Sequence, residues 1–147
     1  MKKHLLIAFA LLFISLLSHA QADKILGTWI TEKGTSSVEI YKGSNGRYFG
    51  KINWLDEPNE NGKPKLDTEN SNPKLATRPI MGLQLVKNFK YSSKKKRWLE
   101  GSIYDPDNGK TYDCFAWFDG DNYNKLYLKG YVAGIKALGR KTQWKRK

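Results

Sequence analysis

The feature that most narrows the fold is rhythm: short stretches of alternating apolar and polar residues recur along the chain, each closed by turn chemistry. Segments 27–31, 38–41, 47–54, 83–91, 98–104, 111–118, 125–132 and 138–145 read as strands, because side chains on a strand point to opposite faces with period 2. In 47–54 this puts Tyr48, Ile52 and Trp54 on one face and Phe49, Lys51 and Asn53 on the other. The segments are punctuated by Gly43-Ser44-Asn45-Gly46, Asp105-Pro106-Asp107-Asn108-Gly109 and Asp119-Gly120-Asp121-Asn122. Such sequences tolerate positive φ and favour tight hairpins. No helix of ordinary length fits between the strands. About eight evenly spaced strands predict an all-β fold: a single antiparallel up-and-down barrel, with a sandwich as the alternative.

Residues 55–79 break the rhythm. They hold four of the five prolines (Pro58, Pro64, Pro73 and Pro79) among many Asn, Asp, Glu and Lys residues. A connection this long without structure of its own is uncommon in a compact domain and usually functional or mobile. In an up-and-down barrel it is expected to lie across one end as a flap.

The N-terminus reads as a leader. Lys2 and Lys3 precede an uncharged apolar run over 5–17, and Ser18-His19-Ala20 supplies a small-x-small cleavage pattern. The run is shorter than the roughly 20 residues that span a bilayer. The expectation is therefore a cleaved signal peptide over 1–20 and one barrel domain over 21–147, placed in the periplasm or secreted, with no membrane span after cleavage. Cleavage would remove both histidines, His4 and His19, and reduce the net charge from +12 to +10 through loss of Lys2 and Lys3.

A histidine-free mature chain lacks the commonest general base and metal ligand, so Ser-His-Asp and Cys-His arrangements are excluded in it. No G-x-S-x-G or P-loop pattern occurs. Paired carboxylates remain open, with Glu39, Glu100 and Asp105 in or beside strands, as a carboxylate-dependent hydrolase would need. The Asp105 and Asp119 turns lack the spacing of a calcium loop. No catalytic, metal or cofactor site is expected. Cys114, the one cysteine, reads as a small buried hydrophobe. Lys94-Lys95-Lys96-Arg97 and Lys145-Arg146-Lys147 are dense basic clusters that admit an anionic surface polymer or partner, whereas export argues against nucleic acid. Trp29, Trp54, Trp98, Trp117 and Trp144 all fall in or beside strands, and both faces of several strands carry aromatics. Rings with polar tips suit a concave site.

Gly27-x-Trp29 on the first strand, with Arg140 or Arg146 flanking Trp144 on the last, resembles the lipocalin-like barrel signature, in which an arginine from the final strand covers a tryptophan near the closed end. Over nearly the whole of 21–147 the chain resembles the bacterial exported "domain of unknown function" family numbered 2147. The matching stretches include G-T-W-I-T from Gly27, G-K-I-N-W-L from Gly50, D-T-E-N-S-N-P from Asp67 and R-P-I-M-G-L from Arg78. The run from Trp98 to Tyr112 and L-G-R-K-T-Q-W-K-R from Leu138 complete them. The resemblance implies a lipocalin-like (calycin-type) or streptavidin-like barrel of eight strands, and no established activity.

The function expected is non-enzymatic binding of a small apolar or amphipathic ligand beneath the flap. Asp67, Asn72 and Arg78 are the flap's polar candidates, although Asp67 and Arg78 are equally suited to pin it by a salt bridge. Trp54, Trp98, Tyr104, Asp105 and Tyr112 are the further ligand-binding candidates. The alternatives are a basic module for an anionic envelope polymer or partner protein, and a carboxylate-dependent hydrolase.

Overall fold

Buried side chains recur along one face of eight strand segments, with bulges that reset the alternation in places, and these segments close on one another. The computed structural model describes residues 19–147; the expected leader, except His19 and Ala20, lies outside the described residues. The strands are β1 (Gly27–Ile30), β2 (Ser36–Lys42), β3 (Tyr48–Leu55), β4 (Asn59–Glu60), β5 (Lys63–Pro64), β6 (Gln84–Ser92), β7 (Arg97–Asp105), β8 (Lys110–Phe118), β9 (Lys125–Tyr131) and β10 (Arg140–Arg146). All but β4 and β5 form a closed antiparallel barrel in the order β1-β10-β9-β8-β7-β6-β3-β2. The last strand bonds to the first, with Trp29 opposite Arg146. The barrel, not the sandwich, is the architecture.

Inward positions carry the core. Val38 and Ile40 on β2, Tyr48 and Ile52 on β3, Val86 and Phe89 on β6 and Trp98 on β7 are buried. Cys114 and Ala116 on β8, Leu126 and Leu128 on β9 and Trp144 on β10 complete the lining. Burying a large apolar side chain stabilises by about 1.5–3 kcal/mol, so this single cluster dominates folding. Gly101 is required by it: a Cβ there would lie 2.2 Å from a Phe89 ring carbon.

One end of the barrel is plugged by a 3-10 turn, Asp23–Ile25, whose Ile25 is fully buried. Backbone carbonyls in so short a turn lack partners of their own, and the barrel provides donors. The Trp98 indole N–H donates to Ala22 O at 3.1 Å and the Trp29 indole N–H to Ile25 O at 2.9 Å. Arg146 donates to the carbonyls of Tyr123, Leu26 and Lys24 at 2.7–2.9 Å. The Tyr48 hydroxyl and Lys42 ammonium both reach Asp23 Oδ1, at 2.6 and 3.0 Å. Plug and barrel strands together lie within residues 22–147.

Three expectations change. The final strand starts at Arg140 rather than 138, because 132–139 turns tightly and Lys136–Leu138 forms a 3-10 turn. Trp54 does not share the inward face with Ile52: Val38 pairs with Ile52 but Ser37 with Trp54, so Asn53 is an extra residue that resets the alternation. Trp54 is exposed, beside the Lys147 ammonium. The long connection is also not structureless. It holds the β4–β5 hairpin and a one-turn helix, Pro73–Ala76, whose N-cap Asn72 accepts from Lys74 N–H at 3.0 Å.

Candidate functional site

The flap lies in part against the outside of the barrel. Its stretch from Leu66 to Arg78 folds back against the outer wall of β6, β7 and β8. Val86 and Ile103 face each other across β6–β7 on the inward side, so their neighbours Lys87 and Ser102 face outward. Tyr104 and Thr111, the next pair along the outward register, do the same. Flap residues Asn70, Ser71, Leu75 and Arg78 come to lie over these wall residues. Wall and flap border an open-sided recess of about 240 Å³, completed by Gln84, Leu85 and Gly109. The earlier expectation of a lid over one barrel end is corrected accordingly. The physical reason is a buried polar knot that ties the flap to the wall.

Asp67 is the centre of that knot and is fully buried. Its Oδ1 accepts from the Tyr104 hydroxyl at 2.6 Å, and its Oδ2 from Asn70 Nδ2 and Arg78 Nε, each at 2.9 Å. Arg78 Nη2 approaches the same oxygen at 2.8 Å, and Asn70 also donates to the Tyr104 oxygen at 3.0 Å. Backbone bonds run parallel to these, Asp67 N–H to Arg78 O and Ile80 N–H to Lys65 O. A buried carboxylate is tolerable when paired and hydrogen-bonded in this way. Burial, reinforced by the bond to Asp67, raises the Tyr104 phenol above its ordinary value, so it stays a donor. At the wall the β7–β8 turn abuts the flap so closely that a Cβ on Gly109, whose φ is +70°, would sit 1.9 Å from Glu69 O.

The structure thus brings Asp67, Arg78 and Tyr104 together, and of these Arg78 and Tyr104 line the recess. The Arg78 guanidinium lies 5.4 Å from the Tyr104 ring centroid, and a third of its side chain remains exposed. The other candidates lie elsewhere. Trp98 belongs to the core and the plug. Asn72 caps the one-turn helix. Asp105 accepts from Asp107 N–H and Asn108 Nδ2 within its own turn. Tyr112, inward-facing at the unplugged end, accepts from Asn108 Nδ2 at 3.1 Å.

Lys87, Ser102, Thr111 and Asn70 were not anticipated. Lys87 is the recess's second cation, and among the described residues no salt bridge holds it. A period-2 reading of β6 and β7 marks Lys87 and Ser102 as outward, but nothing local signals that a distant loop will cover them.

Glu39 and Glu100 do not converge on a cleft. Each meets a cation on the barrel wall: Glu39 with Lys51 at 3.4 Å, Glu100 with Arg47 at 3.2 Å. Among the described residues, no group of three or more His, Cys, Asp and Glu side chains is placed to hold a metal ion.

At the plugged end, the Arg146 guanidinium covers Trp29, while Arg140 is exposed near Glu32. The signature therefore resolves to Gly27, Trp29 and Arg146, with Trp144 packed in the core beside it. A closed eight-stranded meander with this arrangement is a lipocalin-like barrel. A solved structure described as "Protein HP1028 from the human pathogen Helicobacter pylori belongs to the lipocalin family" superimposes with a TM-score of 0.69 at 23% identity, over 84% of this chain and 82% of the other. The chain belongs to the family described as "Uncharacterized protein conserved in bacteria (DUF2147)", whose model matches residues 27–146. No curated protein matches it.

Proposed function

We propose that this protein is an exported, non-catalytic barrel that binds a small amphipathic anion between its flap and its wall. The observation that carries this reading is the recess itself. It joins two cationic side chains, Arg78 and Lys87, to hydroxyl and amide groups from Ser71, Ser102, Thr111 and Asn70, with Leu75 and Leu85 as apolar lining. Its 240 Å³ is below the ~300–1,000 Å³ of drug-sized sites, which suits a short chain with one carboxylate or phosphate. The Arg78 fork, already oriented by Asp67, presents its remaining donors without a large loss of side-chain freedom.

Decanoate titrated by calorimetry tests the reading. Binding is expected, weakened about tenfold in Lys87→Gln, the scale of one charge-assisted contact, and abolished in Ser102→Trp, which fills the recess. Failure of decanoate and decyl phosphate alike to bind, binding of decanol as tight as that of decanoate, or binding indifferent to Ser102→Trp, overturns it. Mass spectrometry of the intact protein recovered from its producing cell checks export, through loss of residues 1–20, and reveals a retained ligand as added mass.

A second reading, a module for an anionic envelope polymer, draws on Lys94, Lys95 and Lys96, exposed at the tip of the β6–β7 hairpin. Retention on immobilised heparin, lost when all three become Gln, would favour it.

A further inference from the structure

The outer wall of β8 and β9 carries a second, unassigned surface. Cys114 and Ala116 point inward on β8, and Leu126 and Leu128 on β9, so Phe115, Trp117, Tyr127 and Tyr131 stand outside. Phe115, although little exposed, is absent from the core cluster. These four rings lean on one another in a continuous row. Tyr131 to Phe115 is 6.1 Å between centroids, Phe115 to Trp117 5.3 Å and Trp117 to Tyr127 5.6 Å.

Cations cover the row. Arg97 lies 5.5 Å from both Phe115 and Trp117, Lys136 lies over Phe115 and Tyr131, and Lys141 is 4.8 Å from Tyr127. Lys129 stands on the same wall, opposite Phe115 and Lys141. Asp113, beside Tyr131, is the carboxylate among them.

At one end of the row the β9–β10 loop exposes three aliphatic side chains: Val132 at 53%, Ile135 at 49% and Leu138 at 76%. Lys136 ties that loop to the rings. Aliphatic tips, an amphipathic aromatic row and clustered cations are the three elements of an interfacial anchor.

We propose that this wall docks on the surface of an anionic lipid bilayer, with Ile135 and Leu138 entering the headgroup boundary and Arg97, Lys136 and Lys141 meeting lipid phosphates. The aliphatic tips decide between occupants. An anionic polymer engages the cations and rings but leaves Val132, Ile135 and Leu138 in water. A second copy packed face to face brings like charges together.

The test uses residues 21–147, which hold the plug and every barrel strand, in flotation with vesicles. The protein is expected to float with phosphatidylcholine vesicles containing phosphatidylglycerol, not with phosphatidylcholine alone, and less as salt rises. Arg97→Gln/Lys136→Gln/Lys141→Gln is expected to lower partitioning by about tenfold or more. Ile135→Ser/Leu138→Ser also lowers it, with the thermal midpoint unchanged because both side chains already face solvent. Ser102→Trp, in the recess, leaves flotation intact. Equal flotation with both vesicle types, or none, overturns the proposal, as does indifference to either set of substitutions. Retention on polygalacturonate without flotation reassigns the wall to a polymer; a concentration-dependent dimer lost in the triple variant, without flotation, reassigns it to self-association.

Discussion

The Arg146 guanidinium lies 4.2 Å from the centroid of the Trp29 ring, and from there its three nitrogens reach three backbone carbonyls. One side chain from the last strand thereby holds the first strand, the plug and the β8–β9 turn together. Arg146→Met removes the stacked cation and leaves those carbonyls to find other donors, and is expected to cost about 3 kcal/mol. Arg146→Lys keeps the charge but cannot span three acceptors, and is expected to recover less than half of the loss. Urea unfolding of the variants measures both.

At the flap the two partners of one ion pair are unequal. Asp67 is fully buried, whereas a third of the Arg78 side chain meets solvent. Arg78→Met strands a buried carboxylate and is expected to destabilise by about 3–5 kcal/mol. Asp67→Asn leaves a cation that water can reach, so its cost is smaller, about 1–3 kcal/mol. Equal costs in denaturant titration would contradict this asymmetry.

Acid should loosen the plug. Burial alone would raise the Asp23 carboxyl. The hydrogen bonds from Tyr48 and Lys42, with the charge of Lys42, outweigh burial and hold it below 3.8. A carboxyl depressed in the folded state stabilises the fold fully above its unfolded value and loses that contribution as pH falls through the folded one. Wild type is therefore expected to lose stability relative to Asp23→Asn as pH drops below about 4, read from the fluorescence of Trp29 and Trp98, whose indoles bond to the plug.

Gly109→Ala should release the flap without unfolding the barrel. The added methyl group meets the Glu69 carbonyl at a backbone conformation that disfavours a side chain. Hydrogen exchange is expected to rise across residues 66–78, while the amides of β8 and β9 keep their protection.

Cys114 should be inert while the barrel is intact. Burial pushes its thiol up to about 12, partly offset by a hydrogen bond from the Lys129 backbone, so little thiolate exists at neutral pH. Alkylation by iodoacetamide is expected to track global unfolding in a urea series; rapid labelling of native protein would show an opening of the barrel at β8.

Alternation made the barrel legible in the sequence, because it runs through most of each strand segment from 27–31 to 125–132 and the turns between them are chemically explicit. It failed where a residue is inserted. Asn53 reverses the facing of Trp54, and one extra residue in a strand leaves no local signature. The Asp67–Arg78 pair was visible as a pin, and Tyr104 as a nearby candidate. That the three meet on the outer wall was not, since it depends on residues 37 positions apart finding each other. The outer aromatic row was half visible, as aromatics on both faces of β8. Its cations come from β7, the β9–β10 loop and β10, which only the closed barrel brings alongside.

A sheet whose last strand bonds to its first leaves little backbone edge: Trp29 and Ile30 close the seam on Arg146 and Lys145. Among the described residues, recognition by strand addition, in which a partner's main chain extends the sheet, is left the start of β10 and the separate two-residue β4 and β5. Elsewhere on the barrel wall a partner is held by side chains, so its specificity is written in single substitutions and can be erased by them.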